Sequence, residues 1–126
     1  EARWTYQVFG LDGRTRQGDA ARLPPLAPHT GVIAAYFLNE LADDVRRRLI
    51  DDLAAAGRGG TRVLILEPIA RAIAPWWDEA AARVIDAGGR ADEWRFTIER
   101  PRLIAQFDRA TGLHHSELKL RSLAIP

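Results

Sequence analysis

Gly31-Val32-Ile33-Ala34-Ala35-Tyr36-Phe37-Leu38 is a nearly unbroken apolar run, and Thr61-Arg62-Val63-Leu64-Ile65-Leu66, which ends on Glu67-Pro68, is a second. Neither shows the alternation of a half-wet strand, so both predict strands covered on two faces, as in a parallel sheet between helices. The segment between them predicts an amphipathic helix from about Asn39 to a stop before Gly57. Leu41, Val45, Leu49 and Leu53 recur every fourth residue, Ile50 widens the stripe, and Asp43/Asp44, Arg47/Arg48 and Asp51/Asp52 form paired charges on the wet side. Strand, helix and strand make a βαβ unit. In open parallel sheets ligands bind beyond the carboxyl ends of the strands, which puts Asn39, Glu40 and Glu67 where function is to be sought.

The 126 residues allow one domain, with Glu1 as the first residue. The formal charge of +1 comes from balanced and scattered acids and bases, so nucleic acid is not supported as a partner. Absence of cysteine removes disulfides, thiolate metal sites and cysteine nucleophiles, and the expectation is a cytoplasmic protein. No apolar segment approaches the roughly 20 residues that cross a bilayer, and no membrane association is expected.

Outward from the central unit, Trp4, Val8 and Leu11 have helical spacing in Glu1 to Leu11, against a competing strand over Trp4 to Phe9. Arg14 to Gln17 reads as a short strand that ends in the turn Gly18-Asp19-Ala20. Pro24, Pro25 and Pro28 make Arg22 to His29 a loop. After Glu67-Pro68, a connection over Ile69 to Ala74 leads to Pro75 and a helix buried through Trp77, Ala81, Val84 and Ile85, which Gly88-Gly89 stops. Asp92 to Glu99 predicts a strand with Trp94, Phe96 and Ile98 on one face. Pro101 opens a short helix that Gly112 closes, and Glu117 to Ile125 is the last strand.

This order of elements resembles the C-terminal half of a class I S-adenosylmethionine-dependent methyltransferase, a Rossmann-like α/β fold with the strand order 3-2-1-4-5-7-6 and an antiparallel last strand. The resemblance implies a partial, mostly parallel sheet. Arg14 to Asp19 becomes strand three, the two central runs strands four and five, Asp92 to Glu99 strand six and Glu117 to Ile125 strand seven. Leu38-Asn39-Glu40-Leu41 with Leu66-Glu67-Pro68 is also similar to a subgroup related to ribosomal methyltransferases, although that subgroup's cysteine ligands have no counterpart. The glycine-rich loop after strand one and the ribose-binding acid after strand two are not present. The domain is therefore expected to be incomplete, its missing N-terminal half belonging to a longer protein or to a second chain, since removal of strands one and two would open the sheet.

The resemblance implies S-adenosylmethionine as cofactor and an unidentified methyl acceptor. It places Gly18, Asp19 and Ala20 at the adenine ring and Tyr36, Phe37 and Asn39 along the methionine end. Read as ordinary structure, Asp19 is a turn acid, one of Tyr36 and Phe37 packs, and Asn39 caps the following helix with Glu40 in its first turn. Glu40 and Glu67 are the catalytic candidates, because a carboxylate at a strand tip must be paired or face a cleft. His114-His115 lack converging ligands and read as a loop, so no metal is expected. A catalytically silent assembly module and a nicotinamide-dependent protein are the other readings. The antiparallel tail fits the latter less well.

Overall fold

A computed structural model describes residues 2–19, 22–26, 29–69, 74–113 and 116–126. The elements run α1 (Ala2–Val8), β1 (Gly31–Ala35), a 3-10 turn (Leu38–Glu40), α2 (Asp43–Arg58), β2 (Arg62–Pro68), α3 (Trp77–Asp86), β3 (Arg90–Thr97), α4 (Arg102–Thr111) and β4 (Glu117–Ile125). The fold is α/β. One four-stranded mixed sheet has the order β1-β2-β4-β3, with β1 parallel to β2 and β4 antiparallel to both of its neighbours. Three strands thus point one way, and the last strand of the chain inserts between β2 and β3 in the reverse sense.

The core lies between the sheet and the pair α2 and α3. Alternate residues of the strands, Ala34, Val63, Ile65, Leu123 and Ile125, face Leu49, Ile50 and Leu53 of α2 and Trp77, Ala80 and Val84 of α3, all of them buried. Full burial of one such aliphatic side chain contributes about 1.5–3 kcal/mol. The stripe expected of α2 is thereby accounted for, with Leu41 and Val45 half-buried at its upper end. Ile85, expected to be buried, is exposed, and Ala80 takes its place on the inner face of α3.

Close approach, not left-handed geometry, fixes Gly89 before β3. A Cβ there would lie 2.4 Å from the backbone oxygen of Ala124 and 2.6 Å from a methyl of Val84. Gly89→Ala is expected to lower the unfolding free energy by about 1–3 kcal/mol, measured by denaturant titration, because the backbone oxygen cannot step aside.

Three expectations need correction. Arg14 to Asp19, assigned to strand three, forms no strand; its residues are exposed. A strand is stable only when paired, and no neighbouring strand stands beside this segment among the described residues. The sheet is covered on one face only: Ile33, Trp94, Phe96 and Leu118 are exposed on the other. The crossover helices α2 and α3 both pack on the first face, and on the second Leu64, Leu66, Trp94, Phe96 and Leu120 line an open groove. Asn39 does not cap α2, which begins four residues later with Ala42 at the N-cap, while Asn39 sits inside the 3-10 turn. The predicted limits of the other elements shift by only a few residues. α1 is a helix rather than the competing strand.

Candidate functional site

The carboxyl ends of β1 and β2 lie where α2 and α3 begin, and their side chains form one connected polar cluster. β1 stops because Tyr36 enters the left-handed region at φ 56, although its N–H still donates to Leu66 O at 2.9 Å. The chain then turns through Leu38–Glu40 toward α2. Glu67, on the inner face of β2 and 0% exposed, meets that turn. Its Oε1 accepts from the backbone N–H of Leu38 at 3.1 Å, and its Oε2 accepts from Asn39 Nδ2 at 2.7 Å. Asn39 Oδ1 in turn accepts from Trp76 Nε1 at 3.1 Å.

The polarity of this chain is fixed at both ends. An indole N–H and a backbone N–H can only donate, so Asn39 must present its oxygen to Trp76 and its nitrogen to Glu67, and the carboxyl group receives hydrogen bonds on both oxygens. Arg46 closes the turn from the other side. Its guanidinium donates to Leu38 O at 3.3 Å, to Leu41 O at 2.9 Å and to Asp43, and it lies 5.0 Å from the centre of the Trp76 ring. Arg121, opposite Glu67 in the β2–β4 register, is buried, donates to Ala74 O at 3.3 Å and lies 4.3 Å from the centre of the Trp77 ring. Burial pushes the Glu67 carboxyl above its ordinary range, opposed by the Leu38 N–H and then by the charges of Arg121 and Arg46; Glu40 adds a small push upward.

The candidates predicted from sequence divide accordingly. Asn39 and Glu67 are brought into direct contact, but both oxygens of Glu67 are turned inward onto the turn. Glu40 is exposed beside them, Tyr36 is 50% exposed, and Phe37 packs against the core. Gly18 and Asp19 lie elsewhere, in exposed loop grooves that involve Arg22 and Leu23 and, for Asp19, Val45, Arg48 and Asp52 of α2. Asp19 O accepts from Arg22 N–H at 3.1 Å, which agrees with a turn. Ala20, His114 and His115 lie outside the described residues. Arg46 was not anticipated. Its position four residues before Ile50 and eight before Ala54, both buried, marks it as inward-facing, and an arginine on such a line requires acceptors.

Left-handed φ at a tyrosine costs about 1–2 kcal/mol relative to glycine. Tyr36→Gly is therefore expected to keep or slightly raise the melting temperature despite the loss of the ring, whereas Tyr36→Val lowers it, because a β-branched residue tolerates that region worst. Thermal melts of the two variants check this.

Among the described residues no group of three or more His, Cys, Asp or Glu side chains is placed to hold a metal ion, and no helix is long and apolar enough to cross a membrane. No family model, curated protein or solved structure matches this chain.

Proposed function

We propose that residues 1–126 form the substrate-side half of a class I S-adenosylmethionine-dependent methyltransferase site, within a partial Rossmann-like fold. The observation that carries the reading is the sheet order. β1-β2-β4-β3, with the last strand reversed and inserted between the two before it, reproduces the 4-5-7-6 run of that family's sheet. A wholly parallel nicotinamide-binding sheet has no such strand. The polar strand tips are a second support, since they lie where ligands of open α/β sheets bind.

The residues present fit one wall of the cofactor. Tyr36 stands half-exposed at the tip of β1, and Asn39 is held beside it. Bound S-adenosylmethionine supplies a methyl group on a sulfonium that is its own leaving group, so the chain's contribution is mainly placement. In this reading Glu67 does not touch the acceptor. It is a positioning residue that holds Leu38 and Asn39 at the crevice, while Glu40, exposed to solvent, is the carboxylate able to accept a proton released by the acceptor.

The N-terminal half of the site belongs outside these residues. Calorimetric titration of the full-length protein with S-adenosylhomocysteine tests the reading. Saturable one-to-one binding that Asn39→Ala weakens is the expected result, and no detectable binding by a folded full-length protein would sink it. A catalytically silent assembly module is the second reading, and the exposed apolar face of the sheet favours it. Binding without turnover on any acceptor tested would leave that reading standing.

A further inference from the structure

The proline-bearing loop ahead of β1 takes no part in the cluster around Glu67, yet its residues are ordered by a period of three. In the sequence Arg22, Pro25 and Pro28 stand three residues apart, with Pro24 beside Pro25. Each proline fixes its own φ at about −65° and pushes the residue before it, here Leu23 and Pro24, into extended backbone. Successive residues of this kind form a polyproline II helix, which has three residues per turn and no internal hydrogen bonds. Residues 23–26 accordingly belong to no helix, strand or hydrogen-bonded turn. Burial follows the same period: Leu23 and Leu26 are half-buried, whereas Arg22, Pro24 and Pro25 are exposed. Leu23 packs against the core and shares a groove with Val45, Arg48 and Asp52, a stripe along α2. The domain thus holds one edge of the segment and leaves the other two in solvent.

We infer that residues 22–26 are a docking ligand for a partner protein domain with a groove lined by aromatic side chains and flanked by carboxylates. Such grooves take a polyproline II segment through two of its three edges, and the preformed helix loses little entropy on binding. The exposed pair Pro24-Pro25 supplies the apolar ridge. Leu23 and Leu26 occupy the remaining edge, the one that this domain keeps for itself. Charge then selects among grooves. Arg22 lies one turn before Pro25, its side chain is 88% exposed, and its ion partner Asp19 stands at 3.7 Å, beyond hydrogen-bond length. Arg16 lines the same surface groove as Arg22, Pro24 and Pro25, so an acidic flank is attracted to this end of the segment and a basic one is repelled. The docking holds whether or not the domain binds S-adenosylmethionine.

Calorimetric titration of the folded full-length protein with a panel of purified SH3 domains that select an arginine three residues before a proline tests the inference. Saturable one-to-one binding by at least one of them, weakened by added salt, is the expected result. Arg22→Ala should weaken it by about tenfold or more, through the loss of a charge-assisted contact, and Arg22→Lys by less. Pro25→Ala should weaken it by about tenfold, because the segment must then be ordered on binding. Both positions are exposed, so thermal melts of these variants should stay close to that of the wild type. Arg95→Ala, on β3, should leave binding unchanged. No binding to any domain of the panel, or binding that Arg22→Ala and Pro25→Ala leave intact, overturns the inference. So does binding that Arg22→Ala weakens and Pro25→Ala spares, because that names a charge contact without recognition of the proline helix.

Discussion

Glu67→Ala is expected to lower the unfolding free energy by about 3–5 kcal/mol, the usual cost of removing one partner from a buried, hydrogen-bonded charge cluster. The carboxyl group is fully enclosed, and removing it leaves the Leu38 N–H and Asn39 Nδ2 without their acceptor. The buried guanidiniums of Arg46 and Arg121 lose a negative charge that interacts with both of them. Glu67→Gln separates charge from shape, because its amide can accept on one side only. The pH dependence then has a definite sign. A carboxyl whose folded value lies above its unfolded one contributes stability that is fully present below the ordinary glutamate value of 4.5 and is lost as pH rises through the raised value. A glutamine side chain does not titrate, so the stability gap between wild type and Glu67→Gln should be widest at acid pH and narrow toward neutrality. Urea titrations across that range measure it; a gap that widens with pH would show that the carboxylate is stabilised by its donors more than burial opposes it.

Why Glu67 was visible in the sequence and its role was not is a matter of range. An acid that ends an apolar strand must find partners, and that much follows from residue type. Which partners it finds depends on where the β1–α2 turn lies, and the turn is decided by contacts across 28 residues, between Asn39 and Glu67, and across 37, between Asn39 and Trp76. Asn39 at a strand-to-helix junction has the look of a cap, but the 3-10 turn uses its side chain to join β2 to α3. The helices and the last two strands were legible because their periodicity is local and strong. Arg14 to Asp19 was misplaced for the opposite reason. Its reading as a short strand had only local residues behind it, the resemblance added the place as strand three, and a segment without apolar residues has no apolar face of its own to hold it against anything else. The uncovered face of the sheet was hidden by a similar assumption. Continuous apolar runs report that both faces avoid water, and only the handedness of the two crossovers shows that this chain's helices supply one of the two covers.

Arg46→Met is expected to cost about 2–4 kcal/mol, less than the loss of Glu67 because methionine keeps most of the packing volume. The guanidinium serves three acceptors at once: Leu38 O, Leu41 O and Asp43. Leu38 O retains the N–H of Leu41 at 3.3 Å, and Asp43 is largely in solvent, so the Leu41 carbonyl and the stacking on Trp76 carry most of the loss. Arg46→Lys should recover less than half of it, since an ammonium lacks the planar fork that spans two carbonyls and stacks on an indole. Coupling to the rest of the cluster distinguishes this from simple loss of packing. Arg46 is one of the charges that hold Glu67 down, so its removal pushes the Glu67 carboxyl further up and extends the loss of stability to higher pH. The Arg46→Met variant should therefore lose more stability between acid and neutral pH than the wild type does. In the Glu67→Gln background that extra dependence should vanish, and a double-mutant cycle between the two sites should return a coupling of about 0.5–3 kcal/mol. A cycle that closes to zero, with parallel pH profiles, would mean that Arg46 and Glu67 brace the turn independently, and that the strand tips are two separate supports rather than one cluster.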